Sequence, residues 1–384
     1  MDGDLDSRRS ADFDFGREQL YFDTRATGHE FNFAIPGYTT EDWRELLSGG
    51  GNFLEDLSRD EIRDQLQGDD VHLAIVFLGG NDINQEYQTY YNGADPAPFV
   101  ASLLANWQNI INRLRGWNAD IPMILTTAPD VGATPDVVGD HPDPAKRANV
   151  TALVEDLNAG LAAIAAADAN MELADIYEFT KRYISPEPIC IGGLEMIKGT
   201  HPENNTRYLF GADGFHPNTG GQAFIASEIL RAANALGFGV APLTPRETLQ
   251  AVLGIDADLA YREWADAAQL PADRRGKFDD PDRDGIPNAA EYALGLDPIR
   301  PDAGALPQPL RLSEGGDEFL ALRWSAPHPC RRDLIRAERS SALTGWQIAE
   351  DAEIVASPDG MTWTLRAPAQ GEAGFLRMRF ELPE

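Results

Sequence analysis

The sequence is poor in cysteine, with Cys190 and Cys330 alone among 384 residues, which rules out the dense disulfide framework of a small secreted domain. Neither cysteine has a metal-like partner spacing. A long-range bridge stays open, but two buried or free thiols are the expectation, because the pair falls on either side of a composition change near residue 240. Long apolar runs are also missing: no stretch reaches eighteen residues, so no membrane span is expected. Positive charge is scarce, with 32 Lys and Arg against 62 Asp and Glu, for a formal net charge of −30. Such a surface repels nucleic acid and anionic membranes, and it suits a protein that tolerates salt or binds cations. The opening Met1-Asp2-Gly3-Asp4-Leu5-Asp6 does not read as a signal peptide, and a leader already removed is the expectation. Solenoid repeats and low-complexity tracts are absent.

Three stretches carry chemistry. Gly211-Ala212-Asp213-Gly214-Phe215-His216-Pro217-Asn218 sets a carboxylate and an imidazole three positions apart, in a segment that Gly214 and Pro217 keep from being plain helix. Imidazole is a base near neutral pH, and a buried carboxylate fixes its tautomer and stabilises the imidazolium. Val71-His72-Leu73-Ala74-Ile75-Val76-Phe77-Leu78 reads as a strand buried on both faces, followed at once by Gly79-Gly80-Asn81-Asp82. Such carboxyl ends are where open parallel sheets gather functional residues. Phe31 to Asp42 reads as a short strand, a turn at Pro36-Gly37, and a helix capped by Thr40.

Together these stretches resemble the SGNH, or GDSL, hydrolase family over about residues 30 to 235. The resemblance implies that Gly37 offers its backbone N–H and Asn81 its side-chain amide to an oxyanion, while Asp213 and His216 form the acid–base relay. Donors aimed at a developing oxyanion are commonly worth ~3–4 kcal/mol each, so these residue types suit the task. The family's nucleophile is the Ser of a Gly-Asp-Ser motif directly after a first apolar strand. Here Gly3-Asp4 is followed by Leu5 and no strand precedes it. Ser7 is the candidate nucleophile, with Ser10 the next hydroxyl. Two expectations stand side by side: a motif truncated ahead of Met1, or a nucleophile that is absent.

Strand and helix alternate through about residue 240. Val100, Leu103, Trp107, Ile110 and Leu114 recur at helical spacing before the strand Ile121 to Thr126. Leu153, Leu157, Leu161 and Ile164 do the same before Met171-Glu172-Leu173-Ala174, and a last helix is predicted from Thr219 to Leu236. This is α/β with a parallel sheet, and the family resemblance makes it a flavodoxin-like three-layer domain over 1–240. The loop from Thr127 to Pro135 and the irregular segment from Ser185 to Gly211 are expected to flank the site, with His201 a surface residue.

Residues 241–300 are predicted as a helical linker, with helices at Pro245–Leu253 and Asp258–Gln269. It contains Asp280-Pro281-Asp282-Arg283-Asp284-Gly285-Ile286-Pro287-Asn288-Ala289-Ala290-Glu291. This fits a twelve-residue calcium loop of the EF-hand type: Asp280, Asp282 and Asp284 at positions one, three and five, Gly285 at the turn, the Ile286 carbonyl at seven, Asn288 at nine and Glu291 at twelve. The segment resembles the calcium loops of dockerin-like and thrombospondin type 3-like repeats, which implies a structural Ca²⁺ and a secreted, periplasmic or cell-surface location. Residues 301–384 show period-two alternation and are predicted as a small β-sandwich, with Trp324, Trp346 and Trp363 in its core.

The expected function is a serine ester hydrolase acting on short-chain acyl or acetyl esters, of a small molecule, glycan or lipid. The alternative is an inactive hydrolase-like module that binds an acylated glycan or cell-surface polymer, because the nucleophile motif is interrupted. A third reading, a calcium-dependent structural protein, makes the metal decisive and His216 dispensable.

Overall fold

The strands β1 (Ala74–Val76), β2 (Met123–Thr126) and β3 (Met171–Ala174) pair in parallel in that order, with Ile75 opposite Ile124 and Ile124 opposite Glu172. They form the parallel sheet of the computed structural model, which describes residues 31–49, 51, 53–68, 71–201, 205–325, 327–358, 360–369 and 374–382. Ser7 and Ser10 lie outside the described residues.

The helix α1 spans Thr40–Ser48, α2 Phe53–Gln67, α3 Gly80–Gln85, α4 Ala97–Trp117, α5 Pro144–Ala166 and α6 Thr219–Ala235. α4 buries Val100, Leu103, Trp107, Ile110 and Leu114, and α5 buries Val150, Leu153, Leu157 and Leu161, which is the spacing the sequence shows. These join Met123, Leu125 and Met171 in one core on one side of the sheet. Each fully buried Leu, Ile or Val contributes about 1.5–3 kcal/mol relative to exposure. On the other side Ile124, Ala174 and Ile176 meet Ala232 and Ala233 of α6. A parallel sheet covered by helices on both faces is the result.

One expectation fails at β1. The run Val71–Leu78 is not a doubly buried strand: only Ala74–Val76 is extended, and Ile75 and Phe77 are 49% and 45% exposed. Among the described residues β1 pairs only with β2, and α6 packs on β2 and β3, so the outer side of Ile75 stays uncovered. Phe31 to Ile35 is not a strand either. The cap of α1 is Thr39 rather than Thr40, in a capping box with Asp42.

The chain forms two compact units: Met1–Ser185 with Lys198–Pro242, and Pro186–Ile197 with Leu243–Glu384. The segment expected to be irregular carries β4 (Cys190–Ile191), β5 (Leu194–Glu195), β6 (Ile197–Thr200) and β7 (Tyr208–Phe210), pairing β4 with β5 and β6 with β7. Cys190 and Cys330 are bonded, and both belong to the second unit. The expectation of two thiols is thereby corrected. Its premise, that the cysteines lie in different domains, fails because Pro186–Ile197 leaves the first unit for the second.

In the second unit β8 (Gln308–Glu314), β9 (Asp317–Ser325), β10 (Ile335–Ser340), β11 (Gln347–Ile348), β12 (Glu353–Ala356), β13 (Thr362–Pro368) and β14 (Phe375–Phe380) make two antiparallel sheets, ordered β12-β13-β9-β8 and β11-β10-β14. Trp324 and Trp363 are buried edge to face in the core, as expected. Trp346 is half-buried instead, with Arg377 over its ring. The helices α7 (Leu259–Ala267) and α8 (Asn288–Leu294) supply Tyr261, Tyr292 and Leu294 to that same core. The predicted linker therefore contributes residues to the second unit's core.

Candidate functional site

Pro36 and Gly37 occupy the middle of a turn in which the Tyr38 N–H donates to the Ile35 carbonyl. Gly37 has φ +81°, and a proline followed by a residue in the left-handed region is the pattern of a type II turn. Nothing lies within 4 Å of where a Cβ would sit, so the backbone conformation alone demands glycine here. The turn is held from the end of β1: the Asn81 side-chain amide donates to the Tyr38 carbonyl at 2.9 Å. A primary amide has two hydrogens, so this bond leaves the second to another acceptor.

Asp82, the next residue, fixes α1. Its buried carboxylate accepts from the Thr40 N–H at 3.0 Å and the Thr40 hydroxyl at 2.7 Å. Asn106 of α4 donates to that same hydroxyl oxygen. Burial pushes the Asp82 carboxyl up, and the Thr40 bonds oppose this. Removing the carboxylate strands two buried donors, so Asp82→Ala is expected to lower the unfolding free energy by about 2–4 kcal/mol, read as a drop in urea midpoint at unchanged slope.

The loop after β2 is anchored in the same way. Asn158 of α5 accepts from the Ala128 N–H at 2.7 Å and donates to the Ala128 carbonyl at 3.0 Å. A Cβ on Gly79 would stand 3.3 Å from Ala128, so the turn after β1 and the loop after β2 are in close approach at the carboxyl end of the sheet. Asp136, farther along that loop, donates its N–H to the Gly214 carbonyl at 3.1 Å. The Asp-x-x-His turn is thus tied to the same end of the sheet.

Within that turn Asp213 Oδ1 accepts from the N–H groups of Phe215 and His216, each at 3.0 Å, and Oδ2 accepts from His216 Nδ1 at 2.6 Å. Gly214 has φ +70°, which lets the chain double back over the carboxylate. Burial raises the Asp213 carboxyl, but the imidazole bond and the two backbone N–H groups outweigh it and hold it below the ordinary carboxylate range. The carboxylate is not buried as expected: the side chains of Asp213 and His216 are 48% and 51% exposed. Hydrogen bonds rather than enclosure orient the ring.

The second cluster lies in the other unit. Asp280, Asp282 and Asp284 bring one carboxylate oxygen each within 4.8 Å of one another. Glu291, on α8, is fully buried, and neither of its carboxylate oxygens has a hydrogen-bond partner. Burial, then Asp282, Asp284, Asp302 and Asp280, push its carboxyl up to about 8. Ile286 is buried beside them, its N–H on Asp284 Oδ1. Asn288 spends its amide hydrogens on the Arg274 and Gly276 carbonyls, while its Oδ1 has no partner. An all-oxygen set with orphaned buried carboxylates fits a hard cation such as Ca²⁺.

Sequence reasoning overlooked Thr40 as a partner of Asp82, and it overlooked Asn106 and Asn158 altogether. The signal for the last two was available: each is a polar residue on the apolar face of a long helix, beside Leu103 and Trp107 or beside Leu157 and Leu161.

The family model described as GDSL-like Lipase/Acylhydrolase matches residues 7–229, more than half of the chain. No curated protein matches it. A solved structure, a carbohydrate esterase family 3 protein from Talaromyces cellulolyticus, is 18% identical, with 53% of this chain and 70% of that chain covered and a TM-score of 0.31. That likeness is too low to bear on fold or substrate.

Proposed function

Because the chain belongs to the GDSL-like lipase/acylhydrolase family, we propose that it is a serine ester hydrolase of the flavodoxin-like SGNH type, acting on short-chain acyl or acetyl esters of a small molecule, glycan or lipid. The observation that carries this reading is the pair His216 Nδ1 and Asp213 Oδ2 at 2.6 Å. With the proton on Nδ1, the other ring nitrogen is the base. It takes the proton of a serine hydroxyl, Ser7 being the candidate, as the oxygen attacks the ester carbonyl. The Gly37 N–H and the second amide hydrogen of Asn81 receive the oxyanion. The imidazolium then protonates the leaving alkoxide, and the neutral ring activates the water that releases the acid.

In the second unit, Asp280, Asp282, Asp284, the Ile286 carbonyl, Asn288 and Glu291 would hold a structural Ca²⁺. Its role there is to neutralise carboxylates that otherwise repel one another. The disulfide and such a loop both favour a secreted or cell-surface location.

A fluorophosphonate probe followed by peptide mapping tests the ester reading, run beside His216→Ala. Labelling of Ser7 or Ser10 that disappears in the variant is the expected result. A folded protein that takes up no label would hand the site to the other reading, binding of an acylated glycan or cell-surface polymer without turnover.

A further inference from the structure

Outside the ester site, the least explained polar group is the Asp302 carboxylate. It lies beyond the twelve-residue loop, in the chain that leads to β8, yet its N–H donates to Asp284 Oδ2 at 2.9 Å. Its Oδ2 accepts the Asp297 N–H at 3.0 Å, so the turn after α8 folds back on the acidic loop. Its Oδ1 is buried with no partner. Glu291, fully buried with both oxygens unpartnered, feels the charge of Asp302 along with those of Asp280, Asp282 and Asp284.

These five groups are acceptors only when ionised, so none can satisfy another. A buried carboxylate oxygen without a donor is costly, and here the cost is repeated at Asp282, Glu291 and Asp302. One class of ligand answers all of them together: a hard cation bound through oxygen, and so concentrated a negative charge favours a divalent one.

We infer that Asp302 is a ligand of a calcium ion held with Asp280, Asp282, Asp284 and Glu291, so that the cation fastens the acidic loop to the chain entering β8. This rests on the cation reading of the loop given above and goes beyond it. The twelve-residue motif accounts for ligands on one loop and the helix that follows it. Asp302 makes the site a clasp between two separate stretches of chain. Calcium thereby orders the approach to the β8–β9 pair as well as the loop.

The test uses the full chain, stripped with a chelator and titrated with Ca²⁺ by calorimetry, with Tb³⁺ luminescence lifetimes in H₂O and D₂O counting bound waters. Asp302→Asn is expected to weaken Ca²⁺ binding about tenfold or more and to add one water to bound Tb³⁺, while Glu291→Gln abolishes binding. If Asp302→Asn does not fold, Asp302→Glu, which keeps the charge at longer reach, gives the same two readouts, with a weaker affinity and an altered water count expected. Binding by either Asp302 variant that matches the wild type in affinity and water count, with Glu291→Gln inactive, would remove Asp302 and leave the loop reading standing. A wild-type chain that takes up no Ca²⁺ at millimolar concentration would end both.

Discussion

With His216 replaced by alanine, hydrolysis of p-nitrophenyl acetate falls by about 10⁴-fold or more. The ring is half exposed, and its bond to Asp213 closes a local turn, so the loss is expected in kcat with the urea midpoint little changed. A surface histidine with no chemical task would give the opposite result, an unchanged rate. Asp213→Asn tests the relay from the other side, with an expected fall of about 10²–10⁴-fold, because the ring loses the acceptor that fixes its tautomer. The pH profile separates these roles. Since the Asp213 carboxyl titrates below the ordinary carboxylate range, its charge favours the fold above the unfolded-state value and is lost only as pH falls through the lowered one. Its ionisation therefore does not shape the rate between about pH 5 and 8. The kcat/KM plateau over that range should therefore drop in Asp213→Asn, and a plateau equal to that of the wild type would contradict the assignment.

Asn81→Ala is expected to lower kcat by about 10²–10³-fold. Two bonds are at stake, one to the Tyr38 carbonyl and one to the oxyanion, and they are separable. Loss of the first loosens the turn that carries Gly37, which registers in the urea midpoint and in KM. Loss of the second registers in kcat alone, since the oxyanion exists only on the way to and from the intermediate. A variant with a lowered midpoint and unchanged kcat would make Asn81 a fastener of the Gly37 turn and nothing more. Retention of Asp82 in this variant keeps α1 anchored through Thr40, so the comparison with Asp82→Ala distinguishes a misplaced turn from a missing donor.

How far each part was legible follows from the range of the forces that set it. The strand Met171–Ala174 and the helix from Thr219 stand where the sequence puts them, because turn chemistry and helical periodicity are local. Asn218 caps that helix through a bond to the next residue, a local matter as well. β1 was misread because composition reports that Ile75 and Phe77 are apolar and says nothing of which element covers them. The strands in 190–210 are two to four residues long, too short for a period to show. The candidate site was legible in motifs, down to the Asp213–His216 pair, but its supports were not. Thr40, Asn106 and Asn158 act through partners dozens of residues away, and only the packed sheet brings them together. Asp302 escaped for the same reason, since a motif of fixed spacing cannot contain a residue that returns to the acidic loop from the next turn.

The Cys190–Cys330 bond turns 140 residues of sequence separation into a closed ring, and the ring contains the passage at Pro242 and Leu243 where the chain leaves one unit for the other. A single proteolytic cut between the two cysteines, at that passage or in the acidic loop, leaves one covalent molecule rather than two fragments. The halves part only after a reductant opens the Cys190–Cys330 bond. In a protease-rich medium the chain therefore stays a single tethered molecule after a first nick between the two cysteines.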